Sequence, residues 1–345
     1  MPSQALEAPD VTAYLHPKLS IYNLPWPADW VAVFGRSAPL VVEIGFGNGN
    51  YLLALAQKHP DCSIIGLEIA SRSLEKAERK LGRNGVQNAR VVFSKAESAL
   101  AHLFEPRRVR AFHINYPDPW FKKRHSGRRL IQPDTVAYLA SRLELGGRLY
   151  LATDIYEYAQ MAHEVLQAEP SLRNCLDVPW THTFPRLITT KYEAKGLAEG
   201  RPGHYFLYER VGTDHADPPI QKELDMPHVV IFTPLSAPEI VAAHREQQFH
   251  PAPNVHIKIR DAYLHRNGRA ALFEAEVIDP TIEQHVAVML YPRAEPNTYT
   301  VKYTTLGQPR MTLGLHYATA LLARWVVGLS PAGRVLSSKV AADVG

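Results

Sequence analysis

The most chemically pointed segment of this chain is an aspartate framed by two prolines and followed by cations. It reads Asn115-Tyr116-Pro117-Asp118-Pro119-Trp120, then Phe121-Lys122-Lys123-Arg124-His125. Each proline fixes its own φ and biases its predecessor away from helix, so Asp118 is expected to be held extended between two rigid neighbours. An ordinary turn aspartate needs no such frame. Lys122, Lys123, Arg124, Arg128 and Arg129 suit phosphate oxygens. Away from an acid at the catalytic end of a sheet, such a run would read as a solvated loop. Trp120 either plugs the domain or offers an aromatic face to a target base.

A second segment supplies a cofactor seat. Val41-Val42-Glu43-Ile44-Gly45-Phe46-Gly47-Asn48-Gly49-Asn50 is a strand running through a glycine turn into a helix. Gly45, Gly47 and Gly49 leave no side chains at the turn, so a ligand can approach the backbone and the free N–H groups of the helix start. The spacing differs from the Gly-x-Gly-x-x-Gly of dinucleotide enzymes, which argues against a nicotinamide oxidoreductase. Glu68 closes the next strand, where an acid grips ribose hydroxyls. Glu43 sits inside a strand between Val42 and Ile44 and needs a partner. It either faces the cationic end of a cofactor or forms a buried salt bridge with a helix residue. S-adenosylmethionine, with its ribose and its positive amino and sulfonium groups, satisfies both acids better than a nicotinamide dinucleotide does.

The elements that must position these groups alternate in a βαβ rhythm from Leu40 to Val211. Strands are predicted at Leu40–Gly45, Ser63–Ile69, Arg90–Ser94, Val109–Asn115, Gly147–Thr153 and His204–Arg210. Helices are predicted near Asn50–Lys58, Ala70–Leu81, Glu97–Leu103, Pro133–Leu143 and Ile155–Glu169. The Pro-rich basic loop then leaves the carboxyl end of a strand, where open α/β sheets form their ligand crevice. Asp154 ends another strand, and Thr189-Thr190-Lys191-Tyr192-Glu193 reads as a polar loop before the last one. Residues 212–227, with Pro218-Pro219, read as a linker between a first domain over 1–211 and a second over 228–345. In the second, Asn254–Arg260 and Phe273–Val277 alternate cleanly around Asn267-Gly268, a hairpin with a tight turn. His285–Leu290 and Thr298–Thr304 read as further strands, and Met311–Leu329 as a helix, giving a smaller α+β domain.

Composition narrows the class. The 345 residues are 46% hydrophobic and 21% charged, an ordinary globular balance with room for a real core. Cys62 and Cys175 lie far apart, which excludes a disulfide scaffold and a multi-cysteine zinc site and fits a reducing cytoplasm. No metal is expected. No apolar run approaches the ~20 residues of a membrane span. The start, Met1-Pro2-Ser3-Gln4-Ala5-Leu6-Glu7, lacks the basic and apolar pattern of a secretory signal. The net charge is +4, and the surplus belongs to residues 1–211, with 26 Lys and Arg against 21 Asp and Glu. Binding to a polyanion should therefore be led by the first domain.

With these residues in view, the chain resembles the bacterial tRNA (guanine-N7-)-methyltransferases, the TrmB family, with an additional C-terminal domain. The likeness covers about Leu24 to Val211. It rests on Glu-Ile-Gly-Phe-Gly-Asn-Gly, Gly-Leu-Glu-Ile, Asn-Tyr-Pro-Asp-Pro-Trp-x-Lys-Lys-Arg-His, Arg-Arg-Leu, Ala-Thr-Asp and Thr-Lys-Tyr-Glu. The resemblance implies a class I S-adenosylmethionine-dependent methyltransferase, Rossmann-like, that methylates N7 of a guanosine in the tRNA variable loop. Carried over by position, Asp118 matches the catalytic acid and borders the cofactor. Glu43, Gly45, Gly47, Gly49, Glu68, Ala96 and Glu97 match the cofactor site. Lys122, Asp154, Thr190, Lys191 and Glu193 match substrate-binding positions. Where the family usually has an Asp-Ala pair, this chain has Lys95-Ala96-Glu97. Glu97 from one residue on, or the backbone at Ala96, then takes the adenine contact.

Two other readings explain less. A methyltransferase for proteins or small molecules leaves the cationic loop without a purpose, and an inactive RNA-binding module leaves Glu43, Glu68 and Asp118 without one. Residues 228–345 lie outside the family core. His256, Lys258 and Arg260 share one strand face, but Glu274 and Glu276 on the partner strand are placed to neutralise them. For this domain tRNA contact, homodimerisation and simple stabilisation are all open.

Overall fold

The computed structural model describes residues 19–185, 187–212 and 216–341. The reading of the first seven residues therefore lies outside it. The described residues form two compact units, one running through Gln221 and one from Lys222. No helix among them is long and apolar enough to cross a membrane.

The first unit runs β1 (Leu19–Ser20), α1 (Trp30–Phe34), β2 (Leu40–Ile44), α2 (Asn50–Lys58), β3 (Ser63–Glu68), α3 (Ser71–Arg83), β4 (Ala89–Phe93) and α4 (Ala96–His102). It continues with β5 (Val109–Asn115), α5 (Pro133–Arg142), β6 (Leu143–Thr153), α6 (Tyr156–Ala168), β7 (Leu172–Asn174), α7 (Lys191–Ala198) and β8 (His204–Arg210). The strands make one sheet in the order β1-β4-β3-β2-β5-β6-β8-β7. From β4 to β6 every pairing is parallel, and β8 enters antiparallel between β6 and β7. The chain winds outward from β2 to one edge and then returns beside β2 as β5. That reversal is a topological switch point, and it opens a crevice at the carboxyl ends of β2 and β5.

Local sequence explains the layers. Helix α3 buries Leu74, Ala77 and Leu81, spaced for one helical face, against Val41, Ile64 and Val91 of the sheet and Leu52 and Leu55 of α2. Pro133 opens α5 at a position where its missing N–H costs nothing. Strand β6 begins before the predicted Gly147, because a register shift beside Gly146 lets Leu143 pair with Val109.

The segment after β8 is tied to the first unit by side chains. Arg142 is fully buried and donates to Leu100 O at 2.8 Å, Pro218 O at 2.9 Å and Pro219 O at 3.3 Å. Burial pushes its pKa down to about 10. Asp217 pairs with Arg210 at 2.6 Å and Arg107 at 3.1 Å. Periodicity cannot reveal such a strap, since it rests on side chains reaching irregular backbone.

The second unit contains β9 (His228–Phe232), α8 (Ala237–Ala243), β10 (Gln247–Ala252), β11 (Val255–Leu264), β12 (Ala271–Ile278), β13 (Glu283–Pro292), β14 (Thr298–Tyr303), α9 (Leu313–Gly328) and β15 (Arg334–Lys339). Its seven strands form an antiparallel sheet, and α9 buries Leu315, Ala318, Leu322 and Val326 with Val229, Ile231 and Val301. The β11–β12 hairpin is present, but its turn is not a two-residue one. His265 and Ala270 close a four-residue loop in which Gly268 N donates to His265 O at 2.8 Å. Gly268 takes the left-handed conformation and Asn267 does not, so the pair cannot make the tight turn its sequence suggests. The expected neutralisation across the hairpin is met in part: Glu276 holds Arg260, whereas Lys258 is held by Glu246 and Glu274 accepts from Tyr263.

Helix α9 is capped from outside. The Asp279 carboxylate accepts from Thr312 Oγ1 at 2.6 Å and Gly314 N at 2.8 Å. Burial pushes the Asp279 carboxyl above the usual carboxylate range, with both hydrogen bonds pulling the other way. A carboxyl raised in the folded state binds its proton more tightly there than in the unfolded chain. The stability this gives is complete below the unfolded value of about 3.9 and is lost as pH rises through the folded value. Asp279→Asn should therefore abolish a decline in the urea midpoint above about pH 4. Parallel midpoint curves for the two proteins would rule this coupling out.

Candidate active site

At the switch point the ends of β2 and β5 are joined by side chains. Glu43 stands opposite His113 in register, and Asn115, two residues on, projects from the same sheet face. Asn115 Nδ2 donates to Glu43 Oε1 at 3.3 Å, and Glu43 is only 2% exposed. Beyond β2 the glycine turn has φ of +72° at Gly45, +55° at Gly47 and +71° at Gly49. A Cβ at Gly45 or Gly47 would meet nothing within 4 Å, so this backbone borders open space. At Gly49 it would lie 2.7 Å from Ala77 Cβ, so the third glycine serves the close packing of α2 on α3.

Glu68, at the end of β3, reaches the same turn. Its Oε2 accepts from Gly47 N at 3.1 Å, and its Oε1 accepts from Ile69 N at 2.8 Å and Ala70 N at 3.1 Å. A carboxylate offers about four acceptor sites, so one is left for a hydroxyl beside the turn. Farther along this edge, Ala96 is buried in the first turn of α4, Glu97 is half-buried beside it, and Lys95 is exposed.

The proline-framed loop follows β5. Tyr116, at φ +53°, and Trp120, at φ +43°, are both left-handed. The bias before a proline predicts an extended Tyr116, and the structure overrides it. Such positions cost on the order of 1–3 kcal/mol each and persist only where neighbours determine them. Tyr116 N is held by Ala152 O at 2.8 Å, and Arg129 donates to Pro119 O at 2.9 Å and Trp120 O at 3.4 Å. Arg129, read from sequence as a phosphate contact, is turned inward as a staple. Arg128 lies over the Trp120 ring at 5.3 Å, and His125 meets the ring edge-on. The Lys123 side chain lies outside the described residues.

Asp118 itself is exposed. With Trp120, Phe121, Lys122 and His125 it lines an open cleft of about 470 Å³. Its charge is felt below the loop at Tyr158, whose phenol is pushed up chiefly by burial, with Asp118 adding and Arg129 opposing.

The end of β6 carries the next acid. Asp154 Oδ2 accepts from Arg201 Nε at 2.8 Å and Nη2 at 2.7 Å. Gly196 of α7 lies so close that a Cβ there would be 2.8 Å from Asp154 Oδ2. Of the segment Thr189–Glu193, read from sequence as a loop, Thr190 caps α7 and Lys191–Glu193 form its first turn. Thr190 Oγ1 accepts from Glu193 N at 3.1 Å, and Glu193 Oε2 accepts from Thr190 N at 3.1 Å. Tyr205 donates to the other Glu193 oxygen at 2.7 Å. The Thr-x-x-Glu capping signal was present in the sequence. Lys191 stands exposed at the first helical position. A cavity of about 260 Å³, lined in part by Tyr51, His113, Tyr150 and Phe184, also touches Asn115 and Tyr205. It therefore runs from the partner of Glu43 to the partner of Glu193.

Comparison with known proteins agrees with this arrangement. A family described as putative methyltransferase matches residues 37–205. A tRNA (guanine-N(7)-)-methyltransferase of Cutibacterium acnes is 43% identical over 185 residues, covering 53% of this chain and 67% of the relative. Its namesake in Burkholderia cenocepacia is 40% identical, covering 53% and 72%. That of Thermotoga maritima is 36% identical over 221 residues, covering 64% and 69%. The chain belongs to the tRNA (guanine-N(7)-)-methyltransferase family.

In this member of the family, several working residues escape a reading of motifs. Asn115 meets Glu43 through the pairing of β2 with β5, a register that the sequence does not show. Arg201 and Tyr205 fix two acids from distant parts of the chain, and nothing local announces them. Arg129 sits in a cationic run yet spends its charge on backbone carbonyls. Replacing Arg129 by alanine should lower kcat on the order of a hundredfold by loosening the Asp118 loop. Arg129→Lys should recover little, since two carbonyls need a fork of donors. Steady-state turnover beside cofactor affinity checks this, and an unchanged kcat would remove the staple from the mechanism.

Proposed function

We propose that this protein transfers a methyl group from S-adenosylmethionine to N7 of a guanosine in tRNA. The observation that carries this reading is the switch-point crevice, with the glycine turn and Glu43 on one strand end and the framed Asp118 on its neighbour. Family membership supports the substrate.

The cofactor fits the residues present. Gly45 and Gly47 offer backbone to open space, Glu68 keeps one acceptor site for a ribose hydroxyl, and Glu43 supplies a negative charge for an amino group. Ala96 and Glu97 flank the place for adenine. When bound, S-adenosylmethionine supplies an electrophilic methyl group on a positively charged sulfur. Lys95, exposed where the family usually has an acid, leaves the adenine edge to Ala96 and Glu97.

Guanine N7 has an in-plane lone pair and no proton, so the protein need not supply a base. It must align the purine and stabilise the positive charge that grows on the ring, which is positioning plus electrostatics. Asp118, exposed at the cleft, serves as the negative partner for that charge. Arg201 takes Oδ2 of Asp154, which leaves Oδ1 for the guanine N1–H and N2–H edge. Lys122 and Lys191 are exposed cations suited to phosphates, and Thr190 with Glu193 fixes the helix start beside them. Cys62 and Cys175 are both free thiols, which supports a cytoplasmic setting.

The test is incubation of the purified protein with unmodified tRNA and a radiolabelled methyl donor, followed by nucleoside analysis. Label should appear in 7-methylguanosine, and label in another nucleoside or none would refute the reading. Asp118→Ala should cost at least on the order of a hundredfold in kcat while calorimetric cofactor affinity stays near normal. Loss of both together would mean that Asp118 holds the fold of the site rather than the reaction.

A further inference from the structure

Aromatic rings stand in water around the two reaction-side acids. Phe121 is 72% exposed, Tyr192 59% and Tyr156 52%. Each is tied to the site by its position. Phe121 lines the same cleft as Asp118 and Lys122. Tyr156 opens α6 two residues after Asp154. Tyr192 lies one helical turn before Gly196, the residue pressed against Asp154. Leaving such a ring in water forgoes about 1.5–3 kcal/mol of burial. Two rings are spent differently: Arg128 covers the Trp120 face and His125 its edge, and Tyr156 meets the Trp180 and His204 rings, so the aromatic role suggested for Trp120 passes to Phe121. No ring or cation contact to Phe121 or Tyr192 is found among the described residues.

The surroundings decide what these rings suit. Phe121 is followed by Lys122 and Arg124, and Tyr192 is preceded by Lys191, all exposed. Rings interleaved with cations match unpaired nucleotides, whose bases stack while their phosphates pair. Guanine N7 faces the major groove, which in an RNA helix is too deep and narrow for side chains. To be methylated there, the nucleotide must leave its stack. Its neighbours then lose a stacking partner, and a rim of rings can replace it.

We propose that Phe121, with Tyr192, forms a stacking rim for the nucleobases flanking the methylated guanosine, with Lys122 on the adjoining phosphate. This rests on the tRNA methyltransferase reading given above. Two measurements test it: methylation of unmodified tRNA, and binding of an unstructured RNA oligonucleotide and a duplex of equal length across salt concentrations. Phe121→Ala and Tyr192→Ala should each weaken single-strand binding and raise KM for tRNA by about fivefold to a hundredfold. Melting temperature, cofactor affinity and the salt slope should stay put. Lys122→Ala should instead flatten the single-strand slope by about 0.7. Phe121→Trp should restore binding, and Phe121→Leu should not. An unchanged affinity in Phe121→Ala, full rescue by leucine, or equal weakening on the duplex would each overturn the rim. The oligonucleotide arm decides the rim even if no methyl transfer is seen, so the two readings fail separately.

Discussion

A side-chain hydrogen bond from Asn115 to Glu43 joins the two strand ends from which the glycine turn and the Asp118 loop depart. Strands β2 and β5 lie side by side in parallel, yet the chain leaves them toward opposite halves of the sheet. Between these two strands the paired register ends at Ile44 and Ile114, and a side-chain contact at that end can hold the two departing loops together. A buried carboxylate in hydrogen-bonding contact with an amide does so with little freedom, because a buried charge strongly prefers its partners. The cofactor-side turn and the Asp118 loop thus start from a common fixed point.

From that point outward the site is braced mainly by arginines acting on backbone and on other acids. Arg129 bonds the carbonyls of Pro119 and Trp120, and Arg201 bonds Asp154. The guanidinium fork suits this work, since one group engages two acceptors in a plane. The consequence for charge is specific. Part of the positive surplus near the reaction loop is consumed by the protein, and the exposed share falls on Lys122, Arg124, Arg128 and Lys191. A count of cations in sequence therefore overstates what an RNA phosphate can meet.

Much of the fold could be read directly. The strand Val109–Asn115, the helix Asn50–Lys58 and the strand His204–Arg210 lie where alternation and helical spacing put them. These are segments with one or two buried faces, where periodicity is the signal. Helix α7 was missed because its burial comes from Glu193 and Gly196 rather than an apolar stripe. The short strands β1 and β7 and the loop staples were missed for a related reason: they depend on partners far away in sequence. At the site, residue types were legible and their engagements were not. Glu193 reads as a ligand acid by its motif, yet in the fold each of its oxygens already accepts a hydrogen bond from the protein.

That double use constrains how the site can work. Tyr205, which bonds Glu193, also lines the cavity that reaches Asn115, the partner of Glu43. The cavity is thus bordered by a partner of the cofactor-side strand's acid and a partner of the helix-capping acid. Movement of Tyr205 would release one Glu193 oxygen while the capping bond to Thr190 N keeps α7 in place. A capping carboxylate with one oxygen on backbone and the other on a side-chain hydroxyl thus anchors the helix start and ties it to β8.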